Sequence, residues 1–251
     1  MASRFGTTIA RLVIVLLVLG AWEVAPRAGL ARPSLLPPAS DVFAMLFRLL
    51  QDPGFHNHLG VTLSQTTVAF FIAVPLGAAL GILIAEYKFA SDVFKPLVFF
   101  VFSIPKSIFL PMFILAFGIG FWQKVAFGVF STIFIVMMTA FAAVESVRDD
   151  QIRIARSYGA SLRQIVTRVY LPSMTPVLLE AVRLAMIFNF TGILLAEMYA
   201  SRAGVGNLIG AWGQGFQLLQ LKASIIVVAG LAIIFNEGIR FLERRCEHWR
   251  A

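Results

Sequence analysis

Long apolar stretches separated by short polar segments set the pattern of this chain. Six of them approach the roughly 20 apolar residues that a helix needs to cross a bilayer: 9–26, 61–85, 94–119, 125–144, 176–199 and 223–242. The second and fourth carry no charge, the third is interrupted by Lys106, and Glu23 and Glu237 lie near the ends of the first and last. No alternation of apolar and polar residues runs through them, which argues against a barrel. The pattern predicts an all-α polytopic membrane protein with about six transmembrane helices in a single domain, residues 1–251.

Composition sharpens this. The chain is 59% hydrophobic and 14% charged, with a mean hydropathy of +0.85, whereas a soluble domain carries about 25% charged residues. In that setting the formal net charge of +8 reads as basic loops on one side of a bilayer and not as a nucleic-acid surface. Most Lys and Arg, including Arg4, Arg11, Lys88, Lys95, Arg163 and Arg244, fall on the side of the N-terminus when the six spans are threaded. This places both termini and segment 145–172 in the cytoplasm. The run from Leu12 to Trp22 behind Arg4 and Arg11 has the layout of a signal peptide, but it lacks a small-residue cleavage site and is followed by further spans. It is read as an uncleaved first span. Cys246 is the sole cysteine, so no internal disulfide forms.

Three connections carry pattern of their own. Segment 27–60 opens with Pro33, Pro37 and Pro38 and continues into an amphipathic piece, Asp41 to Leu50, with Val42, Leu46, Leu49 and Leu50 on one face; it predicts a short helix at the outer interface. Segment 201–222 is rich in Gly and Gln and predicts either an irregular outer gate or a plain connector. Segment 145–172 is the most patterned. A helix from Val147 to Tyr158 stops at Gly159, a residue that tolerates the left-handed conformation of helix ends. Ser161 and Gln164 then form an S-x-x-Q capping box. Leu162, Ile165, Val166 and Val169 recur at helical spacing, with Arg163, Thr167 and Arg168 opposite, and Leu171-Pro172 closes the element. A short hairpin with one apolar and one basic face suits either a groove on a soluble partner or an anionic lipid surface.

Polar residues inside the spans are candidates for a solute pathway. Lys106 lies between Pro105 and Pro111, which predicts a discontinuous third span. Its ammonium suits an anionic solute there, or alternatively satisfies carbonyls freed at the kink. Glu197 and Asn189 lie near the outer end of the fifth span; Glu197 is expected to pair with Lys106 or to cap the outer gate. Arg183 and Glu180 are expected to tie the hairpin to the membrane helices. Gly77 and Gly81 form a G-x-x-x-G pair for close packing, within the bundle or at a dimer seam. No G-x-x-x-x-G-K-[ST] loop, H-E-x-x-H or G-x-S-x-G occurs, so neither ATP hydrolysis nor these hydrolytic chemistries is expected here.

The hairpin resembles the cytoplasmic loop of ABC-importer permeases, E-A-A-x3-G-x9-I-x-L-P. Ala155, Gly159 and Leu171-Pro172 match; Val169 stands for the isoleucine, Arg153 for the glutamate and Ile154 for the first alanine. The resemblance is to the nitrate, sulfonate and taurine permeases and extends over nearly the whole chain. It includes Leu35-Leu36-Pro37-Pro38-Ala39-Ser40, Ile104-Pro105-Lys106, Phe117-Gly118-Ile119-Gly120, Ala196-Glu197-Met198, Gly204-Val205-Gly206 and Leu242-Glu243-Arg244-Arg245. It implies a type I importer (MetI-like) fold and a permease subunit, not an enzyme, that forms the path for a small, anionic organic or inorganic solute. A homodimer would bind two cytoplasmic ABC ATPase subunits, which hold the ATP and Mg, and a periplasmic or extracellular solute-binding protein would deliver the solute in a bacterial inner membrane. No cofactor in this chain and no nucleic acid are expected. Coupling to the ATPase falls on Arg153, Ala155, Tyr158, Gly159, Ala160, Ser161, Leu162, Gln164, Leu171 and Pro172. An ion-coupled secondary carrier and a membrane-embedded enzyme, with Lys106 and Glu197 as its pair, stand as the other classes.

Overall fold

The computed structural model describes residues 2–147 and 149–246. Arg148 and His248, and the side chains of Leu162 and Leu242 to Arg245, lie outside the described set. Eleven α-helices are described: α1 (Ala2–Arg27), α2 (Ala39–Leu49), α3 (Pro53–Glu86), α4 (Lys88–Ser103), α5 (Leu110–Phe117), α6 (Phe121–Glu145), α7 (Asp149–Ser157), α8 (Leu162–Ile165), α9 (Leu171–Tyr199), α10 (Val205–Gln214) and α11 (Leu218–Cys246). A 3-10 turn, Lys106–Phe109, joins α4 to α5, and a π turn, Val166–Tyr170, joins α8 to α9.

Five helical stretches are long and apolar enough to cross a membrane, and α4 with α5 makes a sixth only as a pair bent by 88°. Packing decides whether that pair crosses. A Cβ on Gly77 would meet Val136 at 2.9 Å, one on Gly81 would meet Ala140 at 2.6 Å, and one on Gly128 would meet Ala69 at 3.1 Å. The offset between α3 and α6 is the same in all three pairs, so the two helices run parallel. The chain leaves α3 at one end of the bundle and enters α6 at the other, so the bent pair must carry it back across. The G-x-x-x-G pair thus serves packing between α3 and α6 inside one protomer. The α9 helix runs against both: α3 meets it at Thr62–Glu197 and again at Thr66–Asn189, so position rises along one helix as it falls along the other.

The bend has a local cause. Pro105 and Pro111 lack amide hydrogens, and the Lys106 ammonium reaches back to the carbonyls of Val101 at 3.2 Å, Phe102 at 2.6 Å and Ile104 at 3.0 Å. These carbonyls lie in and just past the last turn of α4, where intrahelical donors run out, although Val101 also accepts from Ile104 N–H at 3.3 Å. The same ammonium lies 4.7 Å from the centre of the Phe102 ring.

Two outer segments differ from their sequence-based expectation. The α2 helix is not an open interfacial helix: Val42 and Leu49 are buried with Val205 of α10 and Ala223 and Val227 of α11, while Leu50 stays exposed. Trp22 donates to the Pro37 carbonyl at 3.0 Å and Lys222 to the Leu35 carbonyl at 3.1 Å, which hold the Pro-rich turn against the bundle. Segment 201–222 is largely helical. Val205, Leu208, Ile209 and Trp212 recur at i, i+3, i+4 and i+7 and pack into that same cluster. The intervening glycines allow close approach to α9, where a Cβ on Gly210 would lie 3.2 Å from the Met198 carbonyl.

Candidate functional site

The hairpin occupies the end of the bundle where α3 and α6 finish. The α7 helix spans Asp149–Ser157, shorter than the expected Val147 to Tyr158, and closes in a Schellman motif: Gly159 N–H donates to the Arg156 carbonyl at 2.9 Å and Ala160 N–H to the Ala155 carbonyl at 3.0 Å. Gly159 takes φ +74°, with nothing within 4 Å of the position a Cβ would occupy. Its role is therefore set by backbone conformation and not by space. The capping box forms in both directions, Ser161 N–H to Gln164 Oε1 at 2.8 Å and Gln164 N–H to Ser161 Oγ at 3.4 Å.

Beyond this cap the chain does not end an element at Leu171-Pro172. Residues 163–199 form one continuous helical stretch. Leu171 N–H donates five residues back to the Val166 carbonyl, and the widened turn accommodates Pro172, which has no amide hydrogen to donate. The Tyr170 hydroxyl, within that turn, hydrogen-bonds Glu86 at the end of α3, and Lys95 of α4 pairs with Glu145 at 2.6 Å. Of the expected apolar face, Ile165 is buried, Val169 is half-buried and Val166 is 40% exposed. Between the hairpin and the helix ends lies a cleft of about 730 Å³, lined mainly by apolar side chains including Ile82, Val144, Ile152, Ile165 and Met174. The hairpin thus shares one cleft with the ends of α3, α6 and α9, and the π turn that follows it is tied to α3 through Tyr170 and Glu86.

Its outward side is unlike an ordinary loop. Ile154 is 57% and Tyr158 87% exposed. Tyr158 directly follows α7 and keeps a helical hydrogen bond from its N–H to the Ile154 carbonyl at 3.2 Å, so the two project from one face, with Arg153 exposed beside them and Ala155 half-buried. Gly159, Ser161, Gln164, Leu171 and Pro172 are exposed and Ala160 is half-buried. Arg183 pairs with Glu180 at 3.6 Å within α9.

The intramembrane candidates do not converge. Lys106, half-buried, is bonded to its own bend as described above. Glu197 is fully buried at the end of the bundle away from the hairpin, where it accepts from the Thr62 hydroxyl at 2.9 Å and from Gly206 N–H at 2.8 Å. The expected Lys106–Glu197 pair is therefore replaced by two separate sets of local bonds. Asn189 is buried too and donates to the Thr66 carbonyl at 2.7 Å. Sequence reasoning missed Thr62 and Lys124, the latter only 2% exposed at the start of α6 and within electrostatic reach of Glu197. The available signal was the charge of Lys124 one turn into an apolar helix.

Residues 73–248 match the family of binding-protein-dependent transport system inner membrane components. The taurine transport system permease protein TauC of Escherichia coli (strain K12) is 29% identical over 247 residues, covering 96% of this chain and 89% of that protein. A putative aliphatic sulfonates transport permease protein, SsuC of Bacillus subtilis (strain 168), is 25% identical over 239 residues, covering 95% and 87%. Among solved structures, a chain of the inward-facing MetNI methionine ABC transporter superposes with a TM-score of 0.62 at 19% identity, covering 81% of this chain and 98% of that one. That likeness establishes a MetI-like fold. With well over half of its length matched, the chain belongs to the binding-protein-dependent transport system inner membrane components and is an ABC importer permease.

Proposed function

We propose that this permease carries a small organic sulfonate, such as the zwitterion taurine, into the cell as a homodimer driven by two separate ATPase subunits and supplied by a solute-binding protein outside. The observation that carries the coupling half of this reading is the exposed Ile154–Tyr158 face, projecting from a glycine-hinged hairpin that continues directly into α9 and shares a cleft with the ends of α3 and α6. An apolar face exposed on a short charged helix suits a groove on a soluble protein. Arg153, Gly159, Ser161 and Gln164 shape the presentation of that face, and Leu171-Pro172 with the π turn passes its displacement into α9. Both termini lie in the cytoplasm on this reading, in line with the Lys and Arg distribution. The solute class is supported by the names of the two permease relatives. Solute passage is assigned to the protomer interface. Of the three pathway candidates Lys106 alone is not fully buried, and Asn189 and Glu197 stiffen the helices behind the path.

The test is uptake of labelled taurine into proteoliposomes holding this chain with its ATPase, with binding protein and ATP on their respective sides. Uptake that needs all three supports the reading. Uptake by the chain alone down an ion gradient replaces it with the secondary carrier. ATP-dependent uptake of a different solute class, with none of taurine, retains the importer and removes the substrate assignment.

A further inference from the structure

The outer helix α10 follows α9 through a short turn, and its first amides would be left without partners by helix geometry alone. Each is met by a side chain from a different span. Gly206 N–H donates to Glu197 Oε2 at 2.8 Å, and Val205 N–H donates to Thr62 Oγ1 at 2.8 Å. Thr62 in turn donates to the Glu197 carboxylate. One residue earlier, Gly204 N–H donates to His58 Nδ1 at 3.0 Å. A carboxylate at a helix N-terminus is held by charge as well as by hydrogen bonds, and Glu197, Thr62, Val205, Gly204 and Gly206 are all buried.

The surrounding residues leave this arrangement little freedom. Gly204 takes φ +108°, and a side chain there would overlap the Glu197 carboxyl; a Cβ on Gly206 would lie 2.5 Å from the Leu194 carbonyl. Lys124 of α6 supplies an opposite charge from the fourth element. Val205 is also part of the buried apolar cluster with Val42, Phe55, Ala223 and Val227. Swinging α10 away would strand a buried carboxylate and two amides at once, in a medium where unpaired polar groups are at their most costly.

We propose that Glu197 is the pin that fixes α10 to α3 and α9, so that α10 travels with them as one rigid body through the transport cycle and is not itself the outer gate. Glu197 and Thr62 are positioning residues: neither needs to touch the solute. Outer opening then takes place between such bodies. The part of this inference that concerns the cycle rests on the ATP-driven importer reading; the pin itself does not.

Two measurements separate the parts. In lipid nanodiscs holding this chain alone, amide exchange is followed at residues 205–207 in the wild type, Thr62→Val, Glu197→Gln and Glu197→Ala. About tenfold faster exchange at Val205 in Thr62→Val and at Gly206 in the Glu197 variants, with α6 still protected, is expected. Exchange equal to wild type in correctly folded variants overturns the pin; should Glu197→Ala fail to fold, Thr62→Val and Glu197→Gln decide. In the full complex, spin labels at Asn57 and Gln214, both exposed and outside the pin, report the α3–α10 distance in a Cys246→Ser background, with labelled chains diluted into unlabelled ones. A second label at Lys88 on each of two copies reports inner opening. An Asn57–Gln214 distance that stays constant on ATP binding while the Lys88 distance changes supports the rigid body. A change in the Asn57–Gln214 distance overturns it. A Lys88 distance that ignores ATP counts against the importer reading and against the rigid-body cycle built on it, and the exchange data still decide the pin.

Discussion

Replacing Gly159 tests the hairpin through backbone conformation alone. The residue sits at φ +74° with no atom within 4 Å of a would-be Cβ, so a substitution meets no neighbour and acts only through the left-handed region. A Cβ in that region costs about 1–2 kcal/mol, and β-branching makes the position a genuine outlier. A penalty of 1–2 kcal/mol corresponds to a loss of about five- to thirtyfold in the population of the hinged form. The two hydrogen bonds of the Schellman motif, from Gly159 and Ala160 N–H, are lost with it, and the Ile154–Tyr158 face loses its fixed angle to the following helix. In proteoliposomes with the ATPase and binding protein, Gly159→Val is expected to hydrolyse ATP while uptake per ATP falls by about an order of magnitude or more. Gly159→Asn, which tolerates the left-handed conformation, should retain most coupling, and Gly159→Ala should lie between. Normal coupled uptake by Gly159→Val, or an Asn variant worse than the Val variant, refutes the hinge argument.

Three further outcomes are expected. Gly81→Val places methyl groups where a Cβ already lies 2.6 Å from Ala140 and 2.9 Å from the Met137 carbonyl, so α3 and α6 must separate; destabilisation of at least about 1–3 kcal/mol should appear in thermal unfolding in detergent, whereas Gly60→Ala, with open space around it, should unfold near the wild-type temperature. Lys106→Met leaves the carbonyls of Val101, Phe102 and Ile104 without their ammonium and should cost about 2 kcal/mol or more, with Lys106→Arg partly restoring stability; reduced uptake at unchanged stability would instead favour direct solute contact. Phe216 is 78% exposed and has φ +54° at the end of α10, in a second Schellman turn closed by Phe216 N–H to Gly213 and Gln217 N–H to Trp212. Phe216→Gly removes about 1 kcal/mol of backbone strain and should raise the unfolding temperature by about 2–4 °C, unless the ring is held by the bilayer interface.

The two Schellman turns show where local sequence is sufficient. At 159 the glycine stands at the left-handed position itself, so both the stop of α7 and the cap of α8 could be read from Gly159, Ser161 and Gln164. At the end of α10 the glycine precedes the left-handed residue by one position, and Phe216 occupies it against its own preference; the packing of Trp212 and Leu219, on either side of the turn, into one cluster selects that register. The π turn was hidden for a related reason. Leu171-Pro172 signals a helix boundary in isolation, yet the turn widens by one residue and the helix continues, because Tyr170 is anchored to Glu86 from a distant part of the chain.

By itself, then, the amino-acid sequence determined the membrane class, the apolar stretches long enough to cross and the glycine-hinged hairpin, because apolar length, charge placement and capping chemistry act over windows of a few to about 20 residues. Tertiary structure alone decided that α3 and α6 lie parallel, that α2 and α10 are buried together, and that Glu197 answers to Thr62. Each of these depends on which residues far apart in the chain meet inside the bundle. Buried polar groups accept whichever partners the packing brings within hydrogen-bond reach, and no spacing along the sequence announces that choice.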